Sequence, residues 1–490
     1  MTSKQLLESS RYLLKEVWKM SFIILPVIII HMGFDGMDLV NEVFLGSLSL
    51  ESMTAGVLAQ ALCACLIAVP LGMSGAQETL VSQAYGVENR RLMRAVLLRS
   101  IIITLFLFFP IIIVCCLSKF IFQVIQHDMN VANMASKYVW VMIPGLFPFV
   151  ICKILSSYMI SQDRLLIPCL VSITNIVMTV TLNLLFSSVG HDAIGYLGTA
   201  TSSSITRVFS LLMLCCSLLL VNAGPDQHGD SFIQQCKGTI KEAFDLKGIK
   251  EHIKLAIPSA VVVCVDHWSL ESLTYILTEF GEEYVSAHSV VVSITLIAYG
   301  IPDGVATATT SNIGCAIGSK QPKRAKWLCW ISIVISFVLT LASAGLIFGL
   351  REPIICIMVQ NKNVEYIIER VMPVVFVYQI QDGVQLVLNG ILLGLGKQFW
   401  SSIIIVIGYC IVGLPIGSVL AFTLDLKILG YWIGLCLGLF AICHVIVLYL
   451  MAHVDWDWEC DKAQKRIAEL DHVNSIKSTL PPLKTEKSVP

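Results

Sequence analysis

Residues 261–272 read VVVCVDHWSLES, an apolar run that nonetheless carries Asp266, His267 and Glu271. Ionisable groups cost roughly 2.5–3.5 kcal/mol each at the centre of a bilayer on insertion scales, so they persist there when they bind something. Two further apolar runs carry polar stripes. His31, Asp35, Asp38 and Glu42 follow the spacing i, i+4, i+7, i+11, which places them on one helical face. Tyr378, Asp382, Gln385 and Asn389 repeat that spacing. His267 and Glu271 are i, i+4 neighbours, with Asp266 about 140° round the helix from Glu271. Asp266 and Asp382 fall near the middles of their runs, and Asp35 and Glu271 lie slightly toward one end, so acids from three helices share a depth. Those three runs place no Lys or Arg at that level.

A carboxylate taken from water can hold a proton or a cation, but not both well. Competition for one site, combined with alternating access, is the minimal machinery of antiport. The candidate substrate- and proton-binding residues are therefore Asp266, Glu271, Asp382, Asp35, Asp38, Gln385, Tyr378 and His267. Simpler roles stand beside this one. His31 and His267 serve equally well as hydrogen-bonded packing residues, and Glu42 as a solvated interfacial group. Tyr378, Gln385 and Asn389 suit ties between helices. Arg207, inside SSSITRVFSL, either pairs with an acid or snorkels. No nucleophile–base pattern or metal-ligand spacing stands out, and GILLGLGKQ (390–398) ends an apolar run rather than joining a strand to a helix. An enzyme, a cofactor and a metal centre are not expected.

These stripes need helices to hold them. The chain has 490 residues, is 56% hydrophobic and only 14% charged, and has a mean hydropathy of +0.79. Apolar runs of helix length recur throughout, which specifies an all-α membrane protein and excludes a soluble fold or an alternating β-barrel. Helices are expected at 20–44, 54–80, 93–118, 132–159, 165–188, 194–221, 253–279, 285–312, 327–350, 365–394, 401–424 and 428–451. The 17 cysteines are scattered in apolar runs without a CxxC pair and read as small buried hydrophobes. A net charge of −1 argues against a nucleic-acid partner; the lipid bilayer is the expected one.

The run ILPVIII (24–30) aligns with AIPSAVV (256–262), and AYGVENRRL (84–92) aligns with AIGSKQPKR (316–324) at the same offset. Two separated anchors sharing one offset indicate an internal repeat, hence two like bundles with a site near the midplane between them. The expected organisation is an N-terminal segment (1–19), a six-helix bundle (20–221), a cytoplasmic linker (222–252), a second six-helix bundle (253–452) and a polar tail (453–490) that begins as an interfacial or short helix.

The ordered set of motifs resembles the multidrug and toxic compound extrusion (MATE) family, eukaryotic type. FLGSLSLESMTAGVLAQA (44–61) and GAQETLVSQAYGVENRRLMR (75–94) resemble its first two helices and the loop that follows. CVDHWSLE (264–271) resembles the seventh-helix pattern Cys-x-Glu-Trp-Trp-x-x-Glu. IPDGVATATTSNIGCAIGSKQPKRA (301–325) resembles the end of the eighth helix; DGVQLVLNGILLGLGKQ (382–398) and GYCIVGLPIGSVLAF (408–422) resemble the tenth and eleventh. The resemblance implies twelve transmembrane helices in two pseudo-symmetric bundles arranged as a V. It also implies export of organic cations or xenobiotics in exchange for protons, with sodium second. It carries Asp266, Glu271 and Asp382 over as the family's cation and proton positions. Several positions depart from the pattern: Ser293 stands at the eighth-helix acid, His267 at the first Trp, Asn41 at the bacterial first-helix Asp and Asn312 at a common Arg, while Asp303 follows Pro302 where the family is small or apolar. A lipid-linked oligosaccharide flippase of the same superfamily, or a relative that has lost transport, are the alternatives.

Basic residues set the orientation. With the N-terminus inside, 25 Lys and Arg fall in inside segments and 6 in outside ones, with Lys153 and Arg207 within spans. A plasma-membrane protein with both termini cytoplasmic is expected. A tag on the tail should be labelled only in permeabilised cells; labelling from outside intact cells would reverse the orientation.

Overall fold

The computed structural model describes residues 3–125, 129–188, 194–221, 232–358 and 361–479. They form α1 (Ser3–Leu48), α2 (Leu50–Gly86), α3 (Arg90–Cys116), α4 (Ser118–Ile125), α5 (Met129–Ile160), α6 (Leu166–Asn183) and α7 (Leu197–Val221). The chain continues as α8 (Phe232–Ala243), α9 (Leu246–Leu277), α10 (Glu282–Gly318), α11 (Pro322–Gly349), α12 (Arg351–Met358), α13 (Lys362–Leu395), α14 (Gln398–Val406), α15 (Leu414–Ser418), α16 (Lys427–Ala452) and α17 (Trp456–Thr479). In a bilayer every backbone N–H and C=O must bond within its own segment, and helices are how this sequence does so. Among the described residues, eleven helices are long and apolar enough to cross a membrane. A twelfth span is α10, bent by 42° between Glu283–Leu296 and Ala298–Gly318.

The helices sit where the hydropathy places them, and many run a few residues further. Side-chain caps mark the ends: Ser49 and Asn89 accept backbone N–H groups at the starts of α2 and α3. Gly396 closes α13 in a left-handed conformation (φ 74°) that costs a residue without Cβ little. The fifth span ends in a π turn at Leu184–Ser188, and the eleventh is broken by two more at Ile407–Gly413 and Val419–Thr423. The 222–252 segment is more structured than its polarity suggests. It contains α8, and α9 starts at Leu246 because Asp245 accepts the Gly248 N–H at 3.1 Å. Residues 222–231 and the tail's end, 480–490, lie outside the described residues.

The repeat governs how the halves meet. Pro26 and Pro258 lie inside α1 and α9, and Pro70 and Pro302, at the same offset, inside α2 and α10. Gly72 lies against Ala260; its counterpart in the repeat, Gly304, lies against Ile28, the counterpart of Ala260. A Cβ on Gly72 would fall 2.6 Å from the Ala260 Cα, and one on Gly304 2.7 Å from the Ile28 Cα, so both crossings are backbone-close. Gly86 and Gly318, the last residues of α2 and α10, face each other across the pseudo-twofold. Polar ties accompany them. The Thr79 hydroxyl donates to the Leu393 carbonyl at 2.7 Å and the Gln83 amide to the Gly394 carbonyl at 3.0 Å. The seam therefore runs along the ends of α2, α10 and α13.

The tail helix α17 spans this seam. Arg466 donates to the Gln83 side-chain oxygen at 3.2 Å and Gln464 to the Gly318 carbonyl at 2.5 Å. Lys397, between α13 and α14, meets Glu459 at 2.6 Å, and the two are 9% and 2% exposed. Burial alone would favour release of the Lys397 proton; the bonds to Glu459 and Tyr449 outweigh it and hold the ammonium above its ordinary range. The stability this gives is complete below the unfolded lysine value of about 10.4 and is lost only as pH rises through the higher folded value. Lys397→Met should therefore cost about 3–5 kcal/mol by stranding Glu459, and Lys397→Met with Glu459→Leu should recover most of it. Thermal unfolding of purified protein checks both; an additive double variant would remove the pair from the account.

Candidate functional site

The C-terminal half brings together residues from three spans. Asp266 comes from α9, Tyr378 and Asp382 from α13, and Tyr409 from the π turn at Ile407–Gly413. The Tyr409 hydroxyl donates to Asp266 Oδ1 at 2.7 Å, and the Tyr378 hydroxyl approaches that of Tyr409. Tyr378 is held edge-on to Trp432, ring centroids 5.0 Å apart. Asp382 is 9% exposed, and its charged neighbours are Asp266 and Asp303. The π turn inserts a residue into the helical register. Its glycines let α16 approach closely: a Cβ on Gly408 would overlap the Ile442 side chain. Tyr409 had no signal in the sequence, being one aromatic in an apolar run without polar periodicity.

The remaining candidates spread out. Glu271 is half-buried; the His267 side chain lies beside it, and it faces Cys65 of α2 in the other half. Glu271 and Asp382 thus look onto different surroundings, because the two acids of α9 point to different faces. Gln385 is 1% exposed, and its Oε1 has no bonded partner. Asn389 accepts the Ser401 hydroxyl at 2.5 Å and ties α13 to α14.

In the N-terminal half Asp35 and Asp38 have cations. Lys153 of α5 reaches Asp35 at 2.8 Å, and Arg207 of α7 reaches both oxygens of Asp38 at 2.9 and 3.3 Å. Both bases also lie over the Phe149 ring, Arg207 at 4.7 Å and Lys153 at 5.8 Å from its centroid. The lack of basic residues at this depth holds for the three striped spans and fails for the helices packed on them. Arg207 takes the acid partner. Asn41 donates to Ser203 at 2.6 Å and accepts from Asn183 at 2.8 Å, joining α1 to α7 and α6.

Between the halves, His31 Nδ1 stands 2.5 Å from Asp303 Oδ2. One ligand atom each from His31, Asp35 and Asp303 lies within 4.8 Å of the others, a spacing that suits a small cation. The Lys153 ammonium already meets Asp35 there.

The MatE family model matches residues 26–187 and 258–419, two thirds of the chain in two segments that differ by the offset of the repeat. The chain belongs to the MATE family. It is 26% identical to multidrug and toxin extrusion protein 2 of Oryctolagus cuniculus, covering 86% of this chain and 68% of that protein. It is 25% identical to multidrug and toxin extrusion protein 1 of Homo sapiens (90% and 75%) and 25% identical to Protein DETOXIFICATION 39 of Arabidopsis thaliana (90% and 85%). The crystal structure of the eukaryotic MATE transporter AtDTX14 superposes with a TM-score of 0.85 at 21% identity, covering 93% of this chain and 99% of that one. A MOP superfamily transporter from Pyrococcus furiosus, described as having a reversed binding-pocket polarity, superposes at 0.77 with 17% identity, covering 92% and 96%. The fold is thus that of a MATE transporter, all-α and multispan, and membership of this family makes the chain a transporter rather than an enzyme.

Arg207 is 3% exposed but Asp38 is 39% exposed, so Arg207→Ala leaves a solvent-reached carboxylate and should lower stability by about 1–2 kcal/mol, partly through lost stacking on Phe149. Adding Asp38→Asn should restore only the ionic part of the loss, because no unpaired charge remains. Thermal melts of both variants in detergent decide; equal losses in both would mean that packing against Phe149, not charge, is what Arg207 supplies.

Proposed function

We propose that this MATE protein exports organic cations in exchange for protons, and that Asp266 and Asp382 bind the exchanged species. One observation carries the reading: two carboxylates lie within reach of each other inside the C-terminal half, one of them, Asp266, accepting the Tyr409 hydroxyl, while Asp35 and Asp38 already hold Lys153 and Arg207. Like charges in an apolar interior repel strongly, and a proton or a cation between them relieves the repulsion. A lysine or arginine would neutralise such a site permanently; the Tyr409 hydroxyl, backed by that of Tyr378, orients Asp266 without neutralising it. The relatives' names, multidrug and toxin extrusion protein, support a small-molecule cargo. A flippase recognising pyrophosphate calls for unpaired cations facing the cavity, and the two intramembrane bases here are engaged by acids. Ser293, at the position of the eighth-helix acid, bonds the Ser289 carbonyl of its own helix at 3.0 Å, which leaves ion binding to α9 and α13.

In this reading Asp382 and Asp266 alternate between proton and cargo as the halves rock about the seam, and the termini face the cytoplasm at the plasma membrane. Counterflow of a cationic dye in proteoliposomes, under opposing pH and sodium gradients, tests it. The wild type should respond to the pH gradient. Asp382→Asn and Asp266→Asn should each lose pH-driven uptake at normal expression, and Glu271→Gln should lose less, since it faces α2 instead. Full pH-driven uptake in Asp382→Asn would sink the assignment, and a response to sodium alone would replace the proton.

A further inference from the structure

Helical spacing sorts the side chains of α17 into three strips. Cys460, Ala463, Ile467 and Leu470 form its buried face. Along one edge of that face fall Trp458, Lys462, Lys465 and Arg466, with Glu469 at the far end; along the other fall Asp457, Asp461 and Asp471. The acidic edge meets a cation, since Asp461 lies 3.7 Å from Lys320. The basic edge meets more cations. Lys462 feels the charges of Arg466, Lys397 and Lys254, with Glu459 the acid among them. Glu459 is already committed to Lys397 at 2.6 Å, and Glu251 stands 3.8 Å from Lys254. Lys254, Lys397, Lys462 and Arg466 thus share one corner with two carboxylates, and both carboxylates are engaged. Lys462 has no ion pair among the described residues. Burial and the three neighbouring cations outweigh Glu459 and hold its ammonium below the ordinary lysine range. Aromatic side chains mark the depth of this corner. Trp458 is exposed, as are Phe399 and Trp400 at the start of α14, and exposed tryptophan beside the end of a span is characteristic of the membrane–water interface. The Lys462 ammonium lies over the Trp458 ring at 4.9 Å from its centroid, and that of Lys397 at 5.9 Å. The excess charge therefore sits at headgroup level.

We propose that Lys254, Lys462 and Arg466, with Trp458 beside them, form a site for the headgroup of an anionic phospholipid that carries a phosphomonoester, and that a bound headgroup clamps α17 across the seam. Charge complementarity selects the occupant. A phosphodiester alone brings one negative charge and leaves an excess in the corner; a phosphomonoester adds about 1.5–2 more, which the exposed Lys465 on the same edge helps to meet. Basic pockets at the end of a helical bundle hold such headgroups, and the flexible stems of Lys254 and Lys462 let their ammonium groups reach them. The exposed aromatics are what make the occupant a lipid, since a free phosphate gains nothing from a neighbouring indole and an acyl chain does. The clamp follows from how α17 is tied. Lys397, Gly318 and Lys320, which hold most of it, belong to the C-terminal half, whereas Arg466 alone reaches Gln83 of α2 in the other. Repulsion between Lys462 and Arg466 opposes the pose that makes this bond. A phosphate between them relieves the repulsion and strengthens the tie across the seam. The site is separate from Asp266 and Asp382 and does not depend on the exchange reading. In the proposed orientation the corner faces the cytoplasmic leaflet, where anionic lipids concentrate.

The test uses full-length protein in nanodiscs of phosphatidylcholine, alone or with phosphatidylinositol 4-phosphate. Hydrogen–deuterium exchange is read over residues 456–470 of α17. The phosphoinositide should raise protection there several-fold. Lys254→Gln with Lys462→Gln should abolish the gain; both side chains are exposed, and their loss leaves the buried Lys397–Glu459 pair in place. Lys254→Arg with Lys462→Arg should keep it. Lys323→Gln with Lys326→Gln removes as much charge from exposed positions at the start of α11 and should also keep it. No gain in the wild type, or one that survives Lys254→Gln with Lys462→Gln, overturns the site. So does an equal loss in the Lys323, Lys326 pair, because surface charge in general would then account for the effect. Phosphatidylserine at matched total charge giving the same protection overturns the phosphomonoester. A soluble inositol bisphosphate doing so in phosphatidylcholine nanodiscs overturns the lipid.

Discussion

A carboxylate among apolar helices must find a cation, a hydrogen-bond donor or a proton, because neither lipid nor packed side chains replace the solvation it has lost. That constraint arranges this molecule. It sets α5 and α7 against α1, since Lys153 and Arg207 must meet Asp35 and Asp38. It bends the eleventh span into a π turn that presents Tyr409 to Asp266. It holds α1 to α10 through His31 and Asp303. The apolar surface that fills the rest of each half is interchangeable by comparison. Outside the bilayer the same logic closes the tail onto the seam, where Lys397 and Glu459 are buried together at the junction of α13, α14 and α17.

Close packing decides where these charges act. Helices in a membrane gain little from the hydrophobic effect against each other and associate through small residues and polar contacts. Gly72 and Gly304 let the two crossings of the seam come to backbone contact, and Gly86 with Gly318 closes its end. A crossing that tight transmits displacement rather than absorbing it, since a packed interface is close to incompressible. The polar ties of Thr79, Gln83 and Arg466 lie along the same line, so the seam behaves as one unit. Opening it would require exchanging all of these contacts together.

The spans were legible because each is written locally: a run of apolar residues has one meaning in a bilayer whatever surrounds it. The repeat was legible for a related reason, since prolines and glycines at fixed positions report backbone geometry directly. Within a span, periodicity exposed which polar residues share a face, and so drew attention to Asp266 and Asp382. Partners on other spans carried no such signal. Asp35 and Lys153 are 118 residues apart, Asp38 and Arg207 169, and His31 and Asp303 272. Helical spacing says nothing about which of twelve helices stands opposite. The start of α9 was missed for a smaller reason: its first turn is polar and capped by Asp245, so composition alone read it as linker.

The repeat itself sharpens the contrast between the halves. The offset that carries Pro26 onto Pro258 also carries Asp35 onto His267 and Lys153 onto Gln385. The ion pair that settles charge in the N-terminal half is thus represented in the other by an imidazole and an amide. In the reverse direction, Asp266 falls on Phe34, Asp382 on Val150 and Tyr409 on Val177. Backbone geometry has been kept through the duplication while charge has been divided. One half holds Asp35 and Asp38 in ion pairs. The other places Asp266 and Asp382 near each other, with no ion pair to either among the described residues. Gln385 stands in that half with its carbonyl oxygen unbonded, where Lys153 in the first half would have reached for an acid. A transporter needs such an imbalance: a site neutralised by its own protein has nothing left to bind, and two identical halves with every charge answered would have no reason to move.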